Sequence, residues 1–179
     1  MQEYVSDAIV LAKYPSGELD GRYALFTKRY GKMTGRTKSS RKVTSKLAPH
    51  LEPGNAIKAR FIEMGGGSVS LAAGMQIVDA LKTRRTGITL ADLGRIAGLL
   101  PEMDPDEVLW EYIAVRPFSW KNILKILGWD PEGAGCAMCG SGQAANFYVP
   151  RQEFYCPACV SRLRFIREQV IEVASQSSN

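Results

Sequence analysis

The chain has 179 residues, 45% of them apolar and 23% charged, a composition suited to one or two globular domains of roughly 100 residues each. No apolar run approaches the ~20 residues of a membrane span, and Met1-Gln-Glu-Tyr4 is neither a basic nor an apolar leader, so the sequence predicts a cytoplasmic protein. The net charge of +5 excludes little by itself; where the charges fall is more informative.

Ser6–Tyr14 and Tyr23–Tyr30 carry strand patterning and are joined by the turn-rich Pro15–Gly21. From Gly21 to Leu51 there is no Asp or Glu, yet Arg22, Lys28, Arg29, Lys32, Arg36, Lys38, Arg41, Lys42 and Lys46 all occur. Nine uncompensated cations create a field that favours a polyanion. The interleaved Gly31, Gly35, Ser39 and Ser40 let backbone N–H groups approach phosphate oxygens. A solvated loop that keeps the protein soluble is the alternative.

Leu47–Gly54, punctuated by Pro49 and Pro53, reads as a connection. Ala56–Met64 alternates Ile57, Ala59 and Phe61 with Lys58 and Arg60, as a half-buried strand with a cationic outer face does. Gly65–Gly67 reads as a hairpin turn into a further strand, Ser68–Gln76; no Lys-Ser/Thr follows, so it is not a phosphate-cradling loop. About five short strands predict a small OB-type barrel over residues 1–79, with the basic stretch on or between strands at its binding face. Tyr23, Phe26, Tyr30 and Phe61 are the aromatics available to stack bases. Phe61 is in phase with the core, which leaves Tyr30, beside Arg29 and Lys32, as the best candidate.

After Gln76 the period becomes helical, and residues 80–179 read as a small helical domain, for an α+β chain overall. Thr89-Leu-Ala-Asp92 is a capping box opening a helix through Leu100. Asp104-Pro105 is an N-cap with proline at the first helical position, placing Val108, Leu109, Tyr112 and Ile113 on one face. A third helix from Ser119 gathers Trp120, Ile123, Leu124 and Leu127 and stops at Gly128. A last helix from Pro157 turns Leu163, Ile166, Val170 and Val173 inward, and the polar Ser175–Asn179 tail is expected to fray.

Between these helices lie the only four cysteines: Cys136-Ala-Met-Cys139, sixteen residues, then Cys156-Pro-Ala-Cys159. Two CxxC knuckles at this separation are a tetrahedral thiolate pattern, predicting one structural Zn2+ in a hairpin at 136–159. Iron fits the same cage. Disulfides suit an oxidising compartment, and a redox pair explains one CxxC but not two. Four thiolates leave no open coordination position, so catalysis at the metal is not expected.

No catalytic constellation is visible either. The single histidine, His50, sits in a proline-bounded turn, and the carboxylates show no motif spacing. The reading is therefore a binding protein, not an enzyme.

Several blocks together resemble the bacterial recombination mediator family RecO (recombination protein O). They are Ala8-Ile-Val-Leu11, Gly17-Glu-Leu-Asp20, Leu25-Phe-Thr-Lys-Arg-Tyr-Gly-Lys32, Thr37-Lys-Ser-Ser-Arg-Lys42, Ser45-Lys-Leu-Ala-Pro-His-Leu-Glu-Pro53 and Ile123-Leu-Lys-Ile-Leu-Gly128 leading into the first knuckle. The resemblance implies an OB domain followed by a helical domain interrupted by a four-cysteine zinc hairpin. It also implies a mediator of DNA repair and recombination that binds single- and double-stranded DNA and anneals complementary strands. With a RecR partner, it helps load recombinase onto strands coated with single-stranded-DNA-binding protein, whose acidic, apolar C-terminal tail docks on the helical domain. The family's basic positions carry over to Lys32, Lys38, Arg41, Lys42 and Lys46, with Arg36 in the same stretch and Lys82, Arg84 and Arg85 as a second phosphate contact. The chain looks shorter than family members around residues 80–120 and after the zinc hairpin, and no residue here is matched to the tail's pocket. Two other readings share these features: a zinc-stabilised protein-interaction module, and an RNA-binding OB protein.

Overall fold

The computed structural model describes residues 2–16, 18–39, 42, 44–63 and 75–173. They form two compact units, Met1–Glu107 and Val108–Asn179.

The first unit is built on β1 (Glu3–Ser16), β2 (Asp20–Thr27), β3 (Gly31–Thr37), β4 (Asn55–Glu63) and β5 (Met75–Arg85). Alternate residues point inward: Tyr4, Ala8 and Val10 from β1, Tyr23 and Leu25 from β2, Met33 from β3, Ile57, Ala59 and Phe61 from β4, and Met75 and Ile77 from β5. The strands close in the order β1-β2-β3-β5-β4, with β4 returning to β1. Among the described strand pairs of this barrel only β3–β5 is parallel, so the sheet is an OB-like barrel. Leu51, from the β3–β4 connection, is fully buried in the same core.

Helix α1 (Leu90–Leu99) packs against β1 and β2. Ile9 and Phe26 face away from the barrel interior, yet they are 1% and 0% exposed. The unbroken apolar run Ala8–Leu11 is thus buried on both faces. Thr89 caps the helix as expected: its Oγ1 accepts from the Asp92 N–H and donates to Asp92 Oδ2.

Several expected boundaries move. β5 continues to Arg85 instead of giving way to helix after Gln76, so the boundary expected at 79/80 falls inside a strand. With α1 packed on the barrel, the first unit runs on to Glu107. The turn at Gly65–Gly67 and most of the strand expected at Ser68–Gln76 lie outside the described residues.

In the second unit, α2 (Glu107–Val115) starts two residues after Pro105, so that proline precedes the helix. The rotation leaves Val108 65% exposed and buries Trp110 beside Leu109 and Ile113. Helix α3 (Trp120–Ile126) buries Trp120, Ile123 and Leu124. A three-stranded antiparallel sheet follows, β6 (Asn146–Tyr148), β7 (Glu153–Tyr155) and β8 (Val170–Glu172), in the order β7-β6-β8.

The long last helix is corrected. α4 (Pro157–Leu163) ends where Arg164 turns left-handed at φ 50°, a 3-10 turn follows at Arg167–Gln169, and Val170 enters β8. Val170 and Val173 are buried as expected, but through the sheet, whereas Ile166 is exposed. The tail at 175–179 lies outside the described residues. No helix among the described residues is long and apolar enough to cross a membrane.

Candidate nucleic-acid interface and thiolate centre

The basic stretch is divided by the strand register. Arg22 on β2 and Arg36 on β3 are direct cross-strand partners, both exposed, with Tyr14 of β1 next to Arg22 in the same row. Directly opposed side chains share a face of the sheet. Lys38 follows at the exposed start of the β3–β4 connection. Ser39, at φ 54°, donates its N–H to Asp20 Oδ1 at 2.8 Å, which pins that start. Two turns, Lys42 N–H to Ser39 O and Ser45 N–H to Lys42 O, carry the exposed Lys42 and Lys46. Arg22, Arg36, Lys38, Lys42 and Lys46 have no ion-pair partner among the described residues. Arg41 lies outside the described residues.

Lys32 behaves differently. Its register partner is the buried Phe26, on the face that α1 covers, and its side chain is only 15% exposed. Nζ donates to Ala97 O of α1 at 2.9 Å and stands 3.5 Å from Glu102 Oε1. The ammonium ties β3 to the carboxyl-terminal turn of α1, where unpaired carbonyls attract cations. It does not join the exposed group.

The cationic face expected on β4 is neutralised by its neighbours. Lys58 lies opposite Asp7, Arg60 lies opposite Asp79, and the Arg60 guanidinium is 3.7 Å from Glu3. Of the proposed stacking aromatics, Tyr23, Phe26 and Phe61 are fully buried. Tyr30 is half-buried, edge-on to Tyr4 at 5.2 Å, with the Arg29 guanidinium 5.4 Å from its ring centre. Tyr14, which the sequence reading did not single out, is 45% exposed beside Arg22. Neither Tyr14 nor the Arg22–Arg36 pairing has a local signature, because both depend on register.

Lys82, Arg84 and Arg85 are exposed at the end of β5. The Lys82 N–H donates to His50 Nδ1 at 3.1 Å, and an Arg85 guanidinium N–H reaches Asn55 Oδ1 at 3.4 Å. This basic end therefore abuts the connection that carries Lys46. The His50 imidazole acts there as an acceptor for a backbone N–H.

In the second unit the four thiols meet. The Sγ atoms of Cys136, Cys139, Cys156 and Cys159 lie within 4.8 Å of one another, and Cys139 Sγ is 3.7 Å from Cys156 Sγ. A tetrahedron of sulfurs about 2.3 Å from a central ion has edges of about 3.8 Å, so the donor set fits a tetrahedral thiophilic metal. All four cysteines are free of disulfides. The first knuckle turns through Gly140 at φ 72°, whose N–H donates to Cys136 O, and is joined to β7 by Ala137 N–H to Phe154 O. Cys156 caps α4 with Pro157 in its first turn, which aims Cys156 and Cys159 at the same point.

Burial raises the Cys136 thiol, but hydrogen bonds from the backbone of Cys156, Cys139 and Met138 outweigh it and bring the pKa down to about 6. Burial, then hydrogen bonding with Cys156, Cys139 and Cys136, pushes Cys159 up to about 12. A ready thiolate at Cys136 beside a Cys159 thiol that resists ionisation is a donor set that a bound cation would stabilise. Tyr148 and Phe165 stack beside it at 3.9 Å and 3°.

An OB-like barrel with a basic rim, followed by a four-thiol hairpin, defines the class. The family described as Recombination protein O N terminal matches residues 1–80. Over 183 residues the chain is 27% identical to the DNA repair protein RecO of Thermodesulfovibrio yellowstonii, covering 90% of this chain and 72% of that relative. The RecO of Dehalococcoides mccartyi is 26% identical (88% of this chain, 70% of the relative), and that of Rhodopseudomonas palustris strain BisB18 is 30% identical (83% and 65%). The first 80 residues thus match the RecO N-terminal family model, and most of the chain is similar to DNA repair proteins of the RecO type.

Proposed function

We propose that this protein is a DNA repair and recombination mediator that grips strand phosphates with the basic rim of its barrel and anneals complementary strands. The observation that carries the reading is the group Arg22, Arg36, Lys38, Lys42 and Lys46, exposed and without acidic partners among the described residues. Arg41 is proposed with them, and Lys82, Arg84 and Arg85 as a second contact continuous through His50. Two complementary strands repel through their phosphates; a cationic surface that holds both screens the repulsion and leaves the bases free to pair. Annealing in this form needs no nucleotide and no catalytic side chain. From the similarity to RecO proteins, a RecR-type partner, recombinase loading onto protein-coated single strands, and docking of the single-stranded-DNA-binding protein's tail belong to the same proposal.

The metal is proposed to be Zn2+, held by Cys136, Cys139, Cys156 and Cys159, which as a bound ion would close the hairpin and supply no chemistry to the DNA. The test is fluorescence anisotropy of labelled single-stranded and duplex DNA with the unaltered protein and with Arg36→Glu combined with Lys42→Glu. At least a tenfold loss with unchanged melting supports the reading; unchanged affinity overturns the site. Strand annealing of DNA coated with single-stranded-DNA-binding protein, with and without the RecR-type partner, tests the activity. An RNA competitor that displaces DNA at equal length would favour an RNA-binding protein instead.

A further inference from the structure

A trough crosses the outer face of the barrel beside the basic rim. Across β1, β2 and β3 the row Ala12, Ala24 and Thr34 is made of small residues. On one side stands the larger row Tyr14, Arg22 and Arg36, and on the other Phe26 and Lys32. The alanines leave the space that the flanking rows wall in. The resulting cleft holds about 230 Å³ and is lined by Tyr14, Arg22, Ala24, Thr34, Ala97 and Glu102. That volume lies below the ~300–1,000 Å³ of clefts that enclose a whole small ligand, so it suits a base alone, with the sugar and phosphate outside.

Its polar groups are of three kinds. Tyr14 offers a 45% exposed ring. Arg22 lines the cleft, and Arg36, its cross-strand partner on the rim, adds a second cation; neither has an acidic partner among the described residues. Glu102 is held in place: Thr34 Oγ1 donates to its Oε1 at 3.1 Å and Lys32 Nζ stands 3.5 Å from the same oxygen, while Oε2 has no partner among the described residues. An aromatic face, a phosphate-binding pair and an oriented acceptor are the groups that recognise one nucleotide.

We propose that this cleft is a subsite for a single unpaired nucleotide, its base against Tyr14 and its phosphate on Arg22 and Arg36. The inference rests on the proposal above that the rim binds a strand. It adds what the rim lacks, a means of telling single strands from duplex. Paired bases are stacked and their edges are occupied, so only an unpaired base enters. A carboxylate only accepts hydrogen bonds, so Glu102 favours bases that present an exocyclic amino group. Thymine, whose lone edge N–H lies between two carbonyls, is disfavoured.

Anisotropy with oligo-dC, oligo-dT and duplex DNA of equal length tests this. The unaltered protein is expected to hold oligo-dC several-fold more tightly than oligo-dT. Tyr14→Ala should weaken oligo-dC binding about tenfold and leave duplex affinity unchanged, and Glu102→Gln should abolish the dC–dT difference. On the unaltered protein, a 2-aminopurine placed singly in the strand should change its fluorescence on binding, a readout that does not depend on any variant folding. Equal losses for single strand and duplex in Tyr14→Ala, or no 2-aminopurine response, would overturn the subsite while leaving phosphate binding by the rim intact. No DNA binding at all by the unaltered protein would remove the reading beneath it.

Discussion

Gly31 sits in the tight β2–β3 turn at φ 69°, and a Cβ there would run into the backbone of Asp104. Thr27 builds the same turn, donating Oγ1–H to Gly31 O and accepting from the Tyr30 N–H. Gly31→Ala is therefore expected to lower stability by about 1–3 kcal/mol from the backbone conformation alone, with the Asp104 clash in addition. Thermal unfolding followed by circular dichroism measures it, and an unchanged midpoint would contradict the geometry. Lys32, one residue on, separates two roles that the sequence merges. Lys32→Met removes a charged hydrogen bond to Ala97 O, expected to cost about 1–2 kcal/mol, yet it should hardly alter DNA affinity because its ammonium is already engaged. Arg36→Glu should do the reverse. The four-cysteine cluster was legible because CxxC is a local code, in which four atoms are aimed by two turns. Lys32 was not legible, because its partner comes from 65 residues away along the chain.

At the scale of elements, α1 was readable from its own cap, whereas the face it covers was not. Thr89→Ala removes the acceptor for the Asp92 N–H and is expected to cost about 1 kcal/mol. Since α1 shields Ile9 and Phe26, hydrogen exchange should rise first in residues 90–99 and then in β1 and β2. Equal protection in mutant and parent would mean that the cap contributes nothing. The carboxyl-terminal segment shows why short elements escape a sequence reading. Leu163, Ile166, Val170 and Val173 fall at helical spacing, yet Val170–Glu172 is a three-residue strand, too short for a period of two to declare itself. Its place is set by pairing with β6 at Val170–Tyr148 and Ile171–Phe147. Only the three-dimensional hairpin supplies that partner.

For the whole molecule, the two units separate the thiol cluster from the basic rim. All five described rim cations belong to Met1–Glu107, and all four thiols to Val108–Asn179. Structural zinc sites of this kind contribute about 10–16 kcal/mol of apparent folding free energy, so Cys156→Ala or a strong chelator should abolish the cooperative unfolding transition of the second unit. Metal analysis of the purified protein should give one ion per chain, zinc or iron, and a metal-free preparation with that transition intact would refute the assignment. Electrostatics should survive the treatment. If Arg22, Arg36, Lys38, Lys42 and Lys46 each neutralise one phosphate, the logarithm of the single-strand binding constant should fall against the logarithm of salt concentration with a slope near −3.5, from about −0.7 for each contact. Duplex should give about −4.5, at −0.9 for each. Each of Arg36→Ala and Lys42→Ala should flatten the single-strand slope by about 0.7, whereas Lys32→Ala should leave it unchanged. If the slope collapsed on metal removal, the second unit would be carrying phosphate contacts and the division of labour between the units would be wrong. A slope that persists while the second unit unfolds would assign strand binding to the barrel.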